Sequence, residues 1–312
     1  MSLQAASLTG VGPMPSPHER RLALRAALAA DEPLVLPGAT DALGARLVES
    51  AGFRAVYATG AGLANAQYGI PDIGLVSLGE VVDHAARLNE ATVLPVVVDA
   101  DTGYGGPLSA MRAVRLLERA GAAGVQLEDQ EMPKRCGHFD SHALIPTGHM
   151  QTKSAAAVEA RTDAALVIVA RTDARSVHDI DEAIARGRAY AAAGADVLFV
   201  EAPRTVDELA RVGRELSDVA PLVVNVVEGG KTPQLELKEY ADLGFRVVLF
   251  ANYLMRSMML AGLDALTHLA EHGETTSRAD RMATWEQRQG LVNLLAFTEA
   301  EALLDRPWEV DR

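Results

Sequence analysis

The chain holds a single cysteine, Cys136, and it stands in the run PKRCGH, with Lys134 and Arg135 before it and His138 after it. A cysteine placed for packing belongs among apolar neighbours. Basic groups beside a thiol lower its pKa and favour the thiolate, and such a group can act as nucleophile or as proton donor and acceptor. The competing reading is an incidental surface cysteine in a basic run. A second set of reactive types follows short apolar runs: Asp99 and Asp101 after PVVV, Glu128 and Asp129 after GVQL, Arg171 and Asp173 in LVIVARTD, Glu201 after DVLFV, Asn225 and Glu228 in LVVNVVE, and Asp72 in IPDIG. Asp99 and Asp101 are two apart, so on a strand they share one face and leave Ala100 on the other. The TGYGG that follows lets backbone come close to a ligand.

These residues meet only if the runs that carry them lie side by side. Eight β-branched runs, at 35–39, 55–60, 95–101, 124–129, 166–173, 196–203, 222–228 and 246–252, alternate with segments of helical period. Near-continuous apolar strands are those buried on both faces, and their alternation with helices implies parallel crossovers. Eight units in this length predict a closed (β/α)8 barrel, whose strand C-termini carry the active site. Glycines in ESAGFRAV, ERAGAAGV, AAAGADV and ADLGFRV stand where helices should stop. Residues 1–16 read as a flexible arm, 17–270 as the barrel, and 271–312 as a helical extension whose surplus apolar positions suit packing between subunits. Residues 130–150 show no apolar period and read as a long loop of the kind that works as a lid.

On this barrel the acids would crowd one mouth and repel each other unless a divalent cation lay among them. Oxygen donors without a His or Cys cluster suit Mg2+ or Mn2+; the alternative is that individual acids cap the following helices. A formal net charge of -13 over 312 residues argues against a nucleic-acid or anionic-membrane partner. One cysteine permits no internal disulfide, which fits a reducing, cytoplasmic setting. No apolar run is long enough for a membrane span, and the N-terminus lacks the pattern of a signal peptide.

VDADTGYG, LEDQ, PKRCGH, ARTDA and NVVEGGKTP, in this order between about 35 and 252, resemble the isocitrate lyase and phosphoenolpyruvate mutase superfamily, and the cysteine run resembles its carbon–carbon lyases. The resemblance implies that Asp99 and Asp101 hold Mg2+, directly or through water, with Asp72 and Glu128 nearby. It implies that Tyr57, Thr59, Gly60 and Ala61 form a turn cradling a substrate carboxylate, that Arg171 pairs with a carboxylate, and that Glu201 and Asn225 complete the pocket. Cys136 becomes the acid that protonates the departing fragment, with Lys134, Arg135 and His138 on the same loop, and Tyr57 a candidate base. The implied reaction is cleavage of a 2-hydroxy di- or tricarboxylate of 2-methylisocitrate or 2,3-dimethylmalate type by a homotetramer. Oxaloacetate hydrolysis or decarboxylation is the alternative, and a non-catalytic ligand-binding descendant a further one. Val227 departs from the methylisocitrate lyases, which carry a hydroxyl there, and points to a smaller dicarboxylate.

Overall fold

The computed structural model describes residues 14–134 and 143–304. Eight parallel strands close into a barrel in chain order: β1 (Leu34–Ala39), β2 (Val56–Ala58), β3 (Val96–Asp99), β4 (Gly124–Glu128), β5 (Val167–Thr172), β6 (Val197–Val200), β7 (Leu222–Asn225) and β8 (Phe245–Phe250), with β8 pairing back onto β1. The expected (β/α)8 architecture is therefore what forms. Helix α1 (Pro17–Ala29) precedes the barrel, α2 (Ala42–Ser50) follows β1, and the short α3 (Gly60–Gly62) follows β2. Next come α4 (Leu78–Ala91), α5 (Pro107–Arg119), α6 (Thr147–Ala160), α7 (Ala174–Val177), α8 (Ile180–Ala192), α9 (Val206–Leu216) and α10 (Leu237–Asp242). The glycines expected to end helices do so: Gly52, Gly121, Gly194 and Gly244 all have φ between 82° and 98°, a region open to glycine at little cost.

Side-chain alternation divides the core in two. One set of residues, including Val98, Ala100, Val125, Leu127, Ile168, Leu198 and Val224, points outward beneath the helices. The other, including Leu36, Tyr57, Val97, Val169, Phe199, Val223 and Leu249, fills the barrel interior. Helix α1 closes the bottom: Leu24 joins the interior cluster, and Arg21 donates from Nε to the Ala122 carbonyl at 3.0 Å and from NH2 to the Glu118 carbonyl at 2.8 Å. The floor is thus sealed, and the strand C-termini are the open end.

Two expectations need correction. The segment read as a loop to residue 150 gives way to α6 at Thr147. Its buried face is Met150, Lys153, Ser154, Ala157 and Ala160, so two polar residues on that face hide the helical period. The final helical segment breaks in two, α12 (Trp285–Leu291) and α13 (Leu294–Leu304), at Asn293, whose φ is 64°. Helix α11 (Tyr253–His272) buries none of its residues, and Met259, Leu260, Leu263 and Leu266 are each more than half exposed. Among the described residues no helix is long and apolar enough to cross a membrane.

Candidate active site

The inward-facing alternation that packs the interior continues upward and changes chemistry at the last layer. Tyr57, Asp99, Glu128, Arg171, Glu201 and Asn225 line a pocket together with Thr59, Ala61, Asp72, Lys134, Val227, Leu249, Ala251 and Asn252. Register makes neighbours of them: Asp99 pairs with Gln126, and Glu128 with Arg171. Asp101 lies just past β3 with φ 48°, a left-handed conformation that costs a non-glycine residue energy and aims its carboxylate back toward the mouth.

Lys134 is the positive charge at the centre of the acids. Its Nζ lies 2.5 Å from Asp72 Oδ1 and 2.8 Å from Asp101 Oδ1, with only 5% of the side chain exposed. Burial would strip its proton, but the carboxylates of Asp101, Glu128, Asp72 and Asp99 prevail and hold its pKa well above the ordinary lysine value. Asp101 is pushed up to about 6 by burial, against the pull of Lys134. Glu128 is raised well above the carboxylate range, again by burial, with Arg171 opposing. Its Oε1 accepts no hydrogen bond from the described residues.

Arg171 is the second buried cation. Asp173 grips it with two bonds, from Nε at 3.0 Å and NH2 at 2.8 Å, while Glu128 Oε2 and Glu201 Oε2 each lie 3.5 Å from it. The guanidinium carbon stands 5.2 Å above the Phe199 ring, which fixes its plane. Glu201 in turn accepts from Asn225 Nδ2 at 3.2 Å. Tyr57 is hydrogen-bonded to Asp99; burial first, then the Asp99 carboxylate, raises its hydroxyl well above 10. Its hydroxyl therefore donates to Asp99 in this setting. Thr59 caps α3 by accepting from Gly62 N at 3.3 Å. A Cβ on Gly60 would lie 3.1 Å from Asp99 Oδ2, so the α3 backbone closely approaches the acids.

Arg135, Cys136 and His138 lie outside the described residues. Asp72, Asp99, Asp101, Glu128 and Lys134 come together, as do Tyr57, Thr59, Gly60, Ala61, Arg171, Glu201 and Asn225. Two strand-end acids do not join them. Asp129 faces away from the interior into the helix layer, because it follows the inward Glu128 by one residue, and Glu228 pairs with Arg256 at 3.2 Å on the outside. Two other residues were not singled out. Gln126, a polar side chain in an inward position of β4, donates to Asp99 Oδ1 at 3.3 Å. Tyr104 of TGYGG buries a hydroxyl with no partner among the described residues, and burial with nearby Asp101 and Asp99 raises its pKa.

Among the described residues, no group of three or more His, Cys, Asp or Glu side chains forms a ready metal cage. The donor set nonetheless fits Mg2+, which keeps several waters and needs only one or two protein carboxylates. The acids already surround one positive charge, and Glu128 Oε1 has no hydrogen-bond partner among the described residues.

A (β/α)8 barrel with carboxylates and a clamped arginine at its strand C-termini is the frame of an enzyme for a small anionic substrate. The chain belongs to the phosphoenolpyruvate mutase and isocitrate lyase superfamily: the phosphoenolpyruvate phosphomutase family profile matches residues 24–270. It is 45% identical, over 92% of both chains, to a Corynebacterium glutamicum protein named "Probable 2-methylisocitrate lyase 2". A solved 2,3-dimethylmalate lyase superposes with a TM-score of 0.87 at 34% identity, covering 96% of this chain and 100% of the other. An oxaloacetate acetylhydrolase solved with the inhibitor 3,3-difluorooxalacetate also has a TM-score of 0.87, at 31% identity over 94% of this chain and 99% of the other.

Proposed function

We propose that the protein is a Mg2+-dependent carbon–carbon lyase that cleaves a 2-hydroxy di- or tricarboxylate, of 2,3-dimethylmalate or 2-methylisocitrate type, into a 2-oxo acid and a carboxylic acid. One observation carries this reading: four carboxylates gather around a single cation beside a clamped arginine at the barrel mouth. Asp99 and Asp101 would hold Mg2+, with Asp72 and Glu128 nearby, and the bound ion would supply Lewis-acid polarisation of the 2-hydroxyl and its neighbouring carboxylate. Arg171 pairs with a substrate carboxylate, and the backbone amides of Thr59, Gly60 and Ala61 cradle another. Asn225 and Glu201 wall the pocket.

The hydroxyl proton passes to a carboxylate of the acid cluster, while Tyr57 donates to the developing oxygen charge. The C2–C3 bond then breaks with its electron pair on C3, C2 becomes the carbonyl carbon, and the Cys136 thiol delivers a proton to C3. Lys134, Arg135 and His138 provide the positive surroundings that stabilise the departing fragment. Val227, an apolar lining residue, offers no donor to a third carboxylate and supports a dicarboxylate substrate. The exposed apolar face of α11, with α12 and α13, supports assembly as a homotetramer.

Cys136→Ser tests the reading. It should lose most turnover yet still bind Mg2+ and pyruvate, because a serine hydroxyl is a far weaker acid than a thiol. Turnover within about threefold of wild type would remove the thiol from the chemistry and favour oxaloacetate hydrolysis, the second reading, which the likeness to the acetylhydrolase supports.

A further inference from the structure

Asp129 lies next to Glu128 yet plays no part in the cavity. It is fully buried between the barrel and α8, and its carboxylate receives four hydrogen bonds. Oδ1 accepts from the backbone N–H of Asp173 at 3.0 Å. Oδ2 accepts from Thr172 Oγ1 at 2.7 Å, Tyr190 OH at 2.7 Å and Arg186 NH1 at 3.0 Å. Arg186 NH1 also donates to the Ile145 carbonyl at 3.0 Å. The Asp129 carbonyl accepts from Ile145 N at 2.9 Å, and Glu131 N donates to the Ala143 carbonyl at 2.8 Å. One carboxylate thus joins two pieces of the site. Through Asp173 it reaches the residue that grips Arg171 with two bonds, and through Arg186 and its own backbone it anchors the stem that leads to Lys134.

We infer that Asp129 is a positioning residue: it fixes the Asp173 clamp that orients Arg171 toward the substrate carboxylate, and it seats the stem bearing Lys134. This rests on the reading of Arg171 as a carboxylate-binding residue. Asparagine at position 129 separates the two halves of the network. Its single oxygen can serve the three donors on the Oδ2 side only by turning its NH2 toward the Asp173 N–H, donor against donor. The Asp173 backbone then loses its acceptor, and a guanidinium that depends on a two-bond grip loses its aim. Tyr190→Phe removes one donor from the Oδ2 side and leaves the Asp173 bond in place.

The experiment is calorimetric titration of oxalate, a small dicarboxylate probe, at saturating Mg2+, on wild type, Asp129→Asn, Tyr190→Phe and Arg171→Met, with thermal melting of each. Asp129→Asn should bind oxalate at least about tenfold more weakly, an effect of about 1.4 kcal/mol, while Tyr190→Phe lowers the melting temperature but keeps oxalate affinity within about twofold. In steady-state assays the Asp129→Asn defect should appear in KM more than in kcat, because a misaimed arginine weakens ground-state and transition-state binding alike. A general packing role would lower stability in both variants and leave oxalate affinity alike in both; that result overturns the inference. If Asp129→Asn does not accumulate as folded protein, Asp129→Glu keeps the charge but moves the carboxylate away from the Asp173 N–H by one methylene, and an unchanged oxalate affinity there overturns it equally. A wild type that binds oxalate no better than Arg171→Met would instead overturn the carboxylate reading of the site, and this inference with it.

Discussion

Lys134→Met removes the cation that the acid cluster surrounds while keeping most of the side-chain volume. The lysine bridges Asp72 and Asp101 at 2.5 and 2.8 Å with 5% of its side chain exposed, so solvent screening is slight. Removing one partner of such a buried pair costs about 3–5 kcal/mol, because the other charge is left uncompensated. The raised pKa of Asp101, about 6, lets it escape part of that cost by taking up a proton, which favours the lower end. At roughly 2 °C per kcal/mol for a chain of this size, the melting temperature in EDTA should fall by about 6–10 °C. Mg2+ should reverse most of the loss, since it supplies the missing charge, and calorimetry should show Mg2+ bound more tightly by the variant than by wild type, where the ammonium competes for the same oxygens. A variant that melts within about 2 °C of wild type in EDTA, or that binds Mg2+ no more tightly, would refute the idea that Lys134 and the metal share one electrostatic position.

Asp101 carries a raised folded-state pKa, so the folded protein holds an extra proton between about pH 4 and 6. Its contribution to the stability of the metal-free protein is present below that window and is lost as pH rises through it. Mg2+ competes with that proton, so affinity measured by calorimetry should be greater at about pH 7 than at about pH 5; equal affinities would contradict the assignment of Asp101 to the cation site. Truncation after Ser277 removes α12 and α13, which carry the exposed Leu294, Leu295 and Phe297; light scattering should show dissociation or aggregation. An untruncated protein that is monomeric at micromolar concentration would contradict the tetramer.

The mouth of the barrel is readable from sequence where side-chain alternation alone decides direction. Asp99, Glu128, Arg171, Glu201 and Asn225 continue the inward positions of apolar strands, so the same period that packs Val97, Val169, Phe199 and Val223 delivers them to the cavity. Asp129 shows the limit: an acid one residue along faces the opposite layer, and composition at a strand end does not separate the two. Tyr104 escaped because its position depends on a tyrosine at φ 60° between two glycines of positive φ, which strand and helix propensities do not foresee. In the sequence Lys134 stands with Arg135, Cys136 and His138 on one loop. Only the folded chain shows its ammonium among acids distant in sequence, Asp72 on one side and Asp101 on the other.

Proton NMR of the products tests whether C2–C3 bond cleavage occurs in a Mg2+-dependent site. Purified protein with Mg2+ is incubated separately with 2,3-dimethylmalate, 2-methylisocitrate and oxaloacetate, each repeated in excess EDTA. A 2-hydroxy acid should disappear as a 2-oxo acid and a carboxylic acid appear in equal amounts, the dicarboxylate should be cleaved in preference to the tricarboxylate, and EDTA should abolish the reaction. Acetate and oxalate from oxaloacetate, with both 2-hydroxy acids left intact, would contradict it.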